Sequence, residues 1–455
     1  MSQASPGSQW LSEAVPDLRS LVDRPWLVLL GATAFLVEMT AYLRTVIGHD
    51  RPPMTPDAAI FQHAGWYMTR GGALYLDVWE PKPPLSYETT ALLALVSGGN
   101  MALYHLLNVG LMLGLAAGTV VLVGLLADRL TADPLASTVA GLSLFLLPGF
   151  ALRPALGYKA KYALLFAGLL AIYLALEDRP FAAGVAAAAA VGYWQLSLVF
   201  PLVALGIAWG DRRAVARLVA GGAALSAAML APVVATGGST AMLVQAVVVP
   251  LSLSEHTPLL VRIYAGAVHF RWAAPLVVVG GAGLLWLARD WRETWWALAP
   301  AGWFALIVLF VDFEVGGYTD LIPGLAFLAL GVAAVVDRLR EMGRPRARRA
   351  LVGAVGAVVV FNVVALGGTG VVFDPVDAPE PTPMPDLAEN SDENVAASPY
   401  AGDVPDVRHL YWNAVEPADC HYRYSLMELD WLAHTGGRDA CRGGDAAELL
   451  GEMVH

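Results

Sequence analysis

Residues 102–127 read ALYHLLNVGLMLGLAAGTVVLVGLLA, 26 positions with no Asp, Glu, Lys or Arg. At 1.5 Å per residue a helix of that length rises about 39 Å, more than a hydrocarbon layer of roughly 30 Å. A helix is the backbone such a stretch needs, because it satisfies every N–H and C=O internally. Working outward, ten further apolar stretches approach the same length: 26–47, 135–151, 162–176, 181–192, 195–209, 216–235, 272–288, 294–311, 321–336 and 350–367. The expectation is an all-α polytopic membrane protein with about 11 transmembrane helices. Composition agrees. Hydrophobic residues make up 57% of the 455 and charged residues only 15%, too few to clothe a water-soluble globule of this size. The net charge of −11 argues against a nucleic-acid partner.

Orientation follows from the Lys/Arg loop bias. With residues 1–25 placed in the cytoplasm, 15 of the 28 basic residues fall on cytoplasmic segments, six of them arginines within 337–349. The decisive boundary is 181–209, read as two short helices parted at Gly192, Tyr193 and Trp194; a single helix would invert every later loop. Residues 1–25 lack an apolar core and carry Glu13, Asp17 and Asp23, so no cleavable signal peptide is expected. Two outward segments are read as non-spanning. Residues 84–97, containing Glu88, form a short interfacial helix, and 236–271, broken by Pro250 and Pro258, form a re-entrant or surface-lying loop.

The C-terminal part differs in kind. From 371 to 455 there are 17 Asp and Glu against four Arg. Residues 368–399, with PEPTPMP at 379–385, read as an extended acidic linker. Residues 400–455, with anchors such as Tyr411 and Trp412, read as a small extracytoplasmic domain. Cys420 and Cys441, 21 residues apart, are expected to form a disulfide worth about 3 kcal/mol; two free thiols are the alternative. An acidic, lysine-free tail suits a halophile's exterior and equally an ordinary acidic disordered tail. No N-x-Ser/Thr sequon occurs.

The placement of lysine points to chemistry. Of 28 cations only Lys82, Lys159 and Lys161 are lysine, and all three fall on outward loops, beside Arg51, Arg70, Arg153, Arg262 and Arg271. An ammonium is a compact point charge suited to a phosphate, and lipid head groups supply phosphate at this depth. Snorkelling to anionic lipid is the alternative for Lys159 and Lys161. Lys82 is flanked by Pro81, Pro83 and Pro84, which fix its backbone. It closes the first outward loop, about 48–84; residues 49–85 read HDRPPMTPDAAIFQHAGWYMTRGGALYLDVWEPKPPL. There Asp57 opens a helical run ended by Gly71 and Gly72; capping that helix is its alternative use. Asp77 and Glu80 bracket Trp79 just ahead of Lys82. Acids and a lysine in one rigid loop suit a phosphate-activated sugar and a hydroxyl acceptor, and an ion pair that merely folds the loop would look similar. Glu38, mid-span, is a functional candidate or the partner of a polar group on a neighbouring helix. His49, His63 and His105 lack metal-ligand spacing and read as structural, and Tyr193, Trp194 and Gln195, at an outward tip, read as interface markers, with sugar contact the alternative.

These motifs resemble the GT-C glycosyltransferases that use polyprenyl-phosphate sugars. The matching residues are Asp57, the run Gly72-Ala73-Leu74-Tyr75-Leu76-Asp77, and Lys82-Pro83-Pro84-Leu85. Haloarchaeal dolichyl-phosphate-mannose mannosyltransferases are nearest in character. The resemblance covers 26–367 and implies inverting transfer, metal-independent or assisted by a divalent metal, with Asp57 as catalytic carboxylate and Lys82 on the donor phosphate. Asp77, Glu80, Arg153, Lys159 and Lys161 join as candidate substrate-binding residues. Many relatives have Asp-Glu at the first position; here Ala58 follows Asp57, which leaves Glu80 as the candidate second carboxylate. Residues 312–323 match the family only loosely. The expected partners are a dolichyl-phosphate sugar donor, a glycan acceptor and the lipid bilayer, with the site facing outside the cell membrane. A lipid-linked saccharide flippase is the competing reading, though no inverted repeat is visible. A non-catalytic scaffold would leave the charged loop unexplained.

Overall fold

The computed structural model describes residues 24–47, 52–78, 80–248, 258–270, 273–311, 321–365, 407–412 and 414. Its described residues form helices and turns, with a single β-bridge, Leu74 to Val78, inside the first loop. Residues 48–84 hold α2 (Pro56–Met68), between α1 (Pro25–Val46) and α3 (Leu85–Ser97). Then come α4 (Met101–Thr131), α5 (Pro134–Ser143), α6 (Pro148–Leu152), α7 (Ala160–Leu176), α8 (Pro180–Tyr193) and α9 (Val199–Ala208). The second half carries α10 (Arg212–Ala235), α11 (Ser239–Leu243), α12 (Leu259–Phe270), α13 (Ala274–Leu287), α14 (Trp291–Leu306), α15 (Ile322–Glu341) and α16 (Pro345–Ala365). A last helix, α17, spans Val407–Trp412. The linker, Cys420, Cys441 and most of 312–323 lie outside the described residues, as do His49, Arg51 and Arg271.

Each apolar stretch is mainly helical over its described residues, and among those residues five helical runs are long and apolar enough to cross a membrane. The chain is a multi-pass membrane protein. One of those runs, Ala274–Phe310, folds back on itself. A β-carbon on Gly280 would lie 2.3 Å from Leu328 O, while the Phe304 ring stacks on Phe327. In a straight helix positions 280 and 304 would stand about 36 Å apart. Stretch 135–151, expected as one pass, is bent by 84° instead. Pro148 explains it: the ring forces Leu147 out of helical geometry, here to φ −92° and ψ 110°.

The division of 181–209 is real. α8 stops at Tyr193, Trp194 is extended (φ −159°, ψ 122°), and a turn at Gln195–Ser197 leads into α9. α17 packs against α2, on the same face, so the acidic tail and the first loop are separated by an even number of crossings. Small residues let helices meet backbone to backbone: β-carbons on Gly184 and Gly221 would strike Leu218 O and Phe181 O at 1.9 and 2.1 Å. α3 lies on α2 and leaves Leu92, Leu95 and Val96 exposed, as an interfacial helix would. Glu38 is fully buried, and its carboxyl has no hydrogen-bond partner among the described residues. Arg44 donates to Val364 O at 2.9 Å.

Candidate active site

The site begins with the way α2 starts. Thr55, not Asp57, is the N-cap: its hydroxyl accepts from Ala58 N at 3.3 Å, and Pro56 occupies the first helical position. Asp57 is thereby relieved of capping, although the helix N-terminus still favours its charge. Thr55 N donates to Leu156 O at 3.4 Å, which ties this end of α2 to the segment after the Pro148 bend. That segment runs through a 3₁₀ turn (Arg153–Leu156) to Gly157, at φ +103°. A β-carbon on Gly157 would sit 2.7 Å from Gln62 Nε2 and 2.8 Å from Ala58 Cβ, so only glycine allows the approach. Two residues later Lys159 Nζ donates to Asp57 Oδ2, and Arg153 NH2 lies 3.7 Å from the same oxygen.

Lys82 arrives on a separately fastened strap. Gln245 Nε2 donates to Tyr75 O at 2.7 Å, and Gln245 Oε1 accepts from Glu80 N at 3.0 Å. Tyr75 OH donates to Lys82 O at 2.7 Å, while Gln195 Nε2 donates to Pro81 O and Ala246 O at 3.0 and 3.3 Å. The strap delivers Lys82 Nζ to 5.6 Å from the Phe61 ring centre. Lys161 Nζ sits 4.4 Å from that of Trp194. Asp57, Phe61, Lys82, Lys159, Lys161 and Trp194 line one cavity of about 30 Å³. That volume holds about two waters, so a hexose must occupy space above it.

The charges are unequal in number and in access. Arg153, Lys159, Lys82 and Lys161 gather at Asp57, and Glu80 is the other carboxylate nearby. The Asp57 side chain is 47% accessible, whereas Arg153 and Lys159 are 5% and 10% accessible, so the carboxylate faces the opening with the cations behind it. Burial alone would raise the Asp57 carboxyl; Lys159, Arg153 and Lys82 together outweigh it and hold it well below the usual carboxylate range. Lys159 is lowered by burial, an effect that Asp57 only partly offsets. Glu80 belongs to the strap and is buried. Burial pushes its carboxyl up to about 7, against the pull of Lys82 and Tyr87. Arg153 NH1 and NH2 have no hydrogen-bond partner among the described residues. Buried cations in excess over carboxylates, with unused donors, make a site for an oxyanion.

The structure thus gathers five of the expected residues (Asp57, Lys82, Arg153, Lys159 and Lys161), with Glu80 adjacent. Asp77 stands apart: its Oδ2 accepts from Ala73 N at 2.7 Å and closes the turn that holds Tyr75 at φ 70°. Arg70 packs over Trp66, 5.6 Å from the ring centre. Among the described residues no three His, Cys, Asp or Glu side chains gather as metal ligands. Sequence reasoning missed Gln245 and the strap role of Gln195. The available signal was an amide inside the apolar run 242–253, where an unpaired polar group is costly.

Comparison with known proteins identifies the family and the fold. Residues 71–231 fit the family model described as DolP-mannose mannosyltransferase, which begins after Asp57 and includes the other cations of the cavity. Over 431 residues the chain is 30% identical to the dolichol phosphate-mannose mannosyltransferase of Haloferax volcanii, covering 88% of this chain and 93% of the relative. Two solved structures share the fold. ArnT from Cupriavidus metallidurans, bound to undecaprenyl phosphate, aligns at a TM-score of 0.53 and 16% identity over 75% of this chain and 70% of its own. The oligosaccharyltransferase of Archaeoglobus fulgidus in its apo form aligns at 0.53 and 12% identity over 76% and 56%. The GT-C architecture expected from the first loop is therefore present. Given 30% identity over almost the full length of both proteins, the chain belongs to the dolichol phosphate-mannose mannosyltransferase family.

Proposed function

We propose that the protein transfers a mannosyl residue from a dolichyl-phosphate donor to a hydroxyl of a lipid- or protein-linked glycan, on the outer face of the cell membrane. The observation that carries the reading is the Asp57–Lys159 ion pair, with Arg153 3.7 Å from Asp57, at a cavity lined also by Lys82 and Lys161. The donor phosphodiester bears one negative charge, and a second develops as the bond from the sugar C1 to the phosphate oxygen breaks. Fixed cations stabilise that growing charge without reorganising, so the leaving group needs no general acid. The electron pair goes to dolichyl phosphate, the acceptor oxygen bonds to C1 from the opposite side, and its proton passes to Asp57.

At rest Asp57 is a weak base, because its cations hold it ionised. A donor phosphate competes for Lys159 and Arg153, loosens their hold on Asp57 and raises its basicity as the acceptor arrives. An apolar groove of about 370 Å³ between α9 and α14, lined by Leu202, Leu298 and Trp303, suits the isoprenoid chain. Trp303 Nε1 donates to Leu196 O at 2.7 Å, two residues from Trp194 in the cavity wall.

The test is genetic and chemical. Deleting the gene should remove a terminal hexose from surface glycans measured by mass spectrometry. The wild-type gene should restore it and Asp57→Asn should not. Restoration by Asp57→Asn would overturn the mechanism, and charged dolichyl phosphate stranded on the inner leaflet would indicate a flippase.

A further inference from the structure

Helix α2 turns Asp57 toward the cavity, and its other side is closed by a segment from the far end of the sequence. Tyr411 in α17 is fully buried. Its ring centre lies 5.8 Å from that of Tyr104, and its hydroxyl donates to Met101 O at 2.9 Å. Trp412 meets His105 edge-on at 5.5 Å and Tyr411 at 5.1 Å. Tyr411 and Tyr104 share one buried cluster with Met54, Ala58, Ala59 and Trp66, with Trp412 packed against it. Ala58 and Ala59 have almost no side-chain volume, so bulky rings must fill the space behind α2.

The contact leads back to the ion pair. Tyr104 OH donates to Gln62 O at 2.7 Å, and His105 Nδ1 is 3.1 Å from Gln62 Oε1. Gln62 and Ala58 press on Gly157, two residues before Lys159. Asp57 adjoins Ala58. The same wall therefore stands behind both members of the pair. Pro52 and Pro53 lead into α2 and Gly71 and Gly72 lead out, so neither neighbouring helix runs on to stiffen it.

We propose that Tyr411 and Trp412 are positioning residues for transfer: the C-terminal segment docks on α2 and α4 and braces α2 so that Asp57 holds its place opposite Lys159. The kinetic consequence rests on the transfer reading above, whereas the brace itself does not. A displacement of about 1 Å in a reacting group costs up to 10²-fold in rate.

The experiment compares full-length wild type with Tyr411→Ala, Trp412→Ala and Tyr411→Phe. Both alanine variants should lose about tenfold in kcat with donor KM within about twofold, and Tyr411→Phe should stay near wild type. Unchanged kcat in both alanine variants would overturn the proposal. Trp412 is only half-buried, so its variant guards against misfolding. It should bind dolichyl phosphate as wild type does, and loss of that binding in step with activity would reveal general damage and also overturn the proposal. Hydrogen exchange at the α2 amides reads the brace without turnover. Faster exchange in Trp412→Ala supports it and unchanged exchange refutes it, even if wild type transfers no sugar, the result that would refute the transfer reading instead.

Discussion

Two clusters of charge sit at opposite ends of the bundle, and they are built on different rules. Within the ion pairs at the end remote from the first loop, arginines meet carboxylates nearly one for one. Arg24 pairs with Asp128 at 3.0 Å, Arg129 with Glu177, Arg338 with Glu341 at 2.9 Å, and Arg348 and Arg340 converge on Asp133. Asp133 also caps α5 by accepting from Leu135 N at 3.0 Å. At the first-loop end four cations, three of them lysine, gather at Asp57, with Glu80 the other carboxylate nearby. A balanced set of planar forks joins helix ends and needs nothing more. A surplus of point charges around one accessible carboxylate is satisfied only by a further anion.

The sharpest way to break this contrast is Asp57→Asn. Transfer should fall by about 10³-fold or more, yet dolichyl phosphate should bind several-fold tighter, because Lys159 and Arg153 lose their resident counter-ion. Equilibrium binding by microscale thermophoresis decides it; weaker binding would mean that Asp57 helps to hold the donor and is not displaced by it.

A paired comparison comes next. Arg153→Met should reduce kcat/KM about 10²-fold with a small change in melting temperature. Asp133→Ala should leave kcat/KM unchanged while costing about 1–2 kcal/mol, chiefly through the lost cap. Equal effects on turnover would erase the distinction between the two ends.

The smallest effect concerns Glu80, whose carboxyl is pushed up to about 7 by burial. The folded protein then holds a proton that the unfolded chain releases near the ordinary glutamate value, so stability falls as pH rises from about 4.5 to 7. Glu80→Gln should flatten that slope, as followed by the melting temperature in detergent between pH 5 and 8. A slope unchanged from wild type would mean that Glu80 is ionised throughout.

Several features could be read without coordinates because they depend on local composition. Hydrophobic length marks a helix wherever it lies, which is why the described residues of 102–127 and its ten companions are mainly helical. Proline spacing announced a rigid strap at Lys82, and three lysines in a chain of arginines drew attention to the loops that meet at one cavity. Asp77 shows the limit of such reading. In sequence it is one more acid beside Lys82, and in space it closes its own turn. Gln245 shows the converse, an amide in an apolar run that proves to hold a backbone 165 residues away.

Length, apolar pattern and the placement of lysine determine a helical membrane protein with a cationic loop region, since each depends on the energy of single residues in lipid or water. Tertiary structure alone decides that Asp57 and Lys159, 102 residues apart, form an ion pair, and that Tyr411 reaches Met101 across 310 residues. Those pairings are made by helices packing through glycines and bending at Pro148, and packing depends on the shapes of both partners at once. No local stretch contains that information.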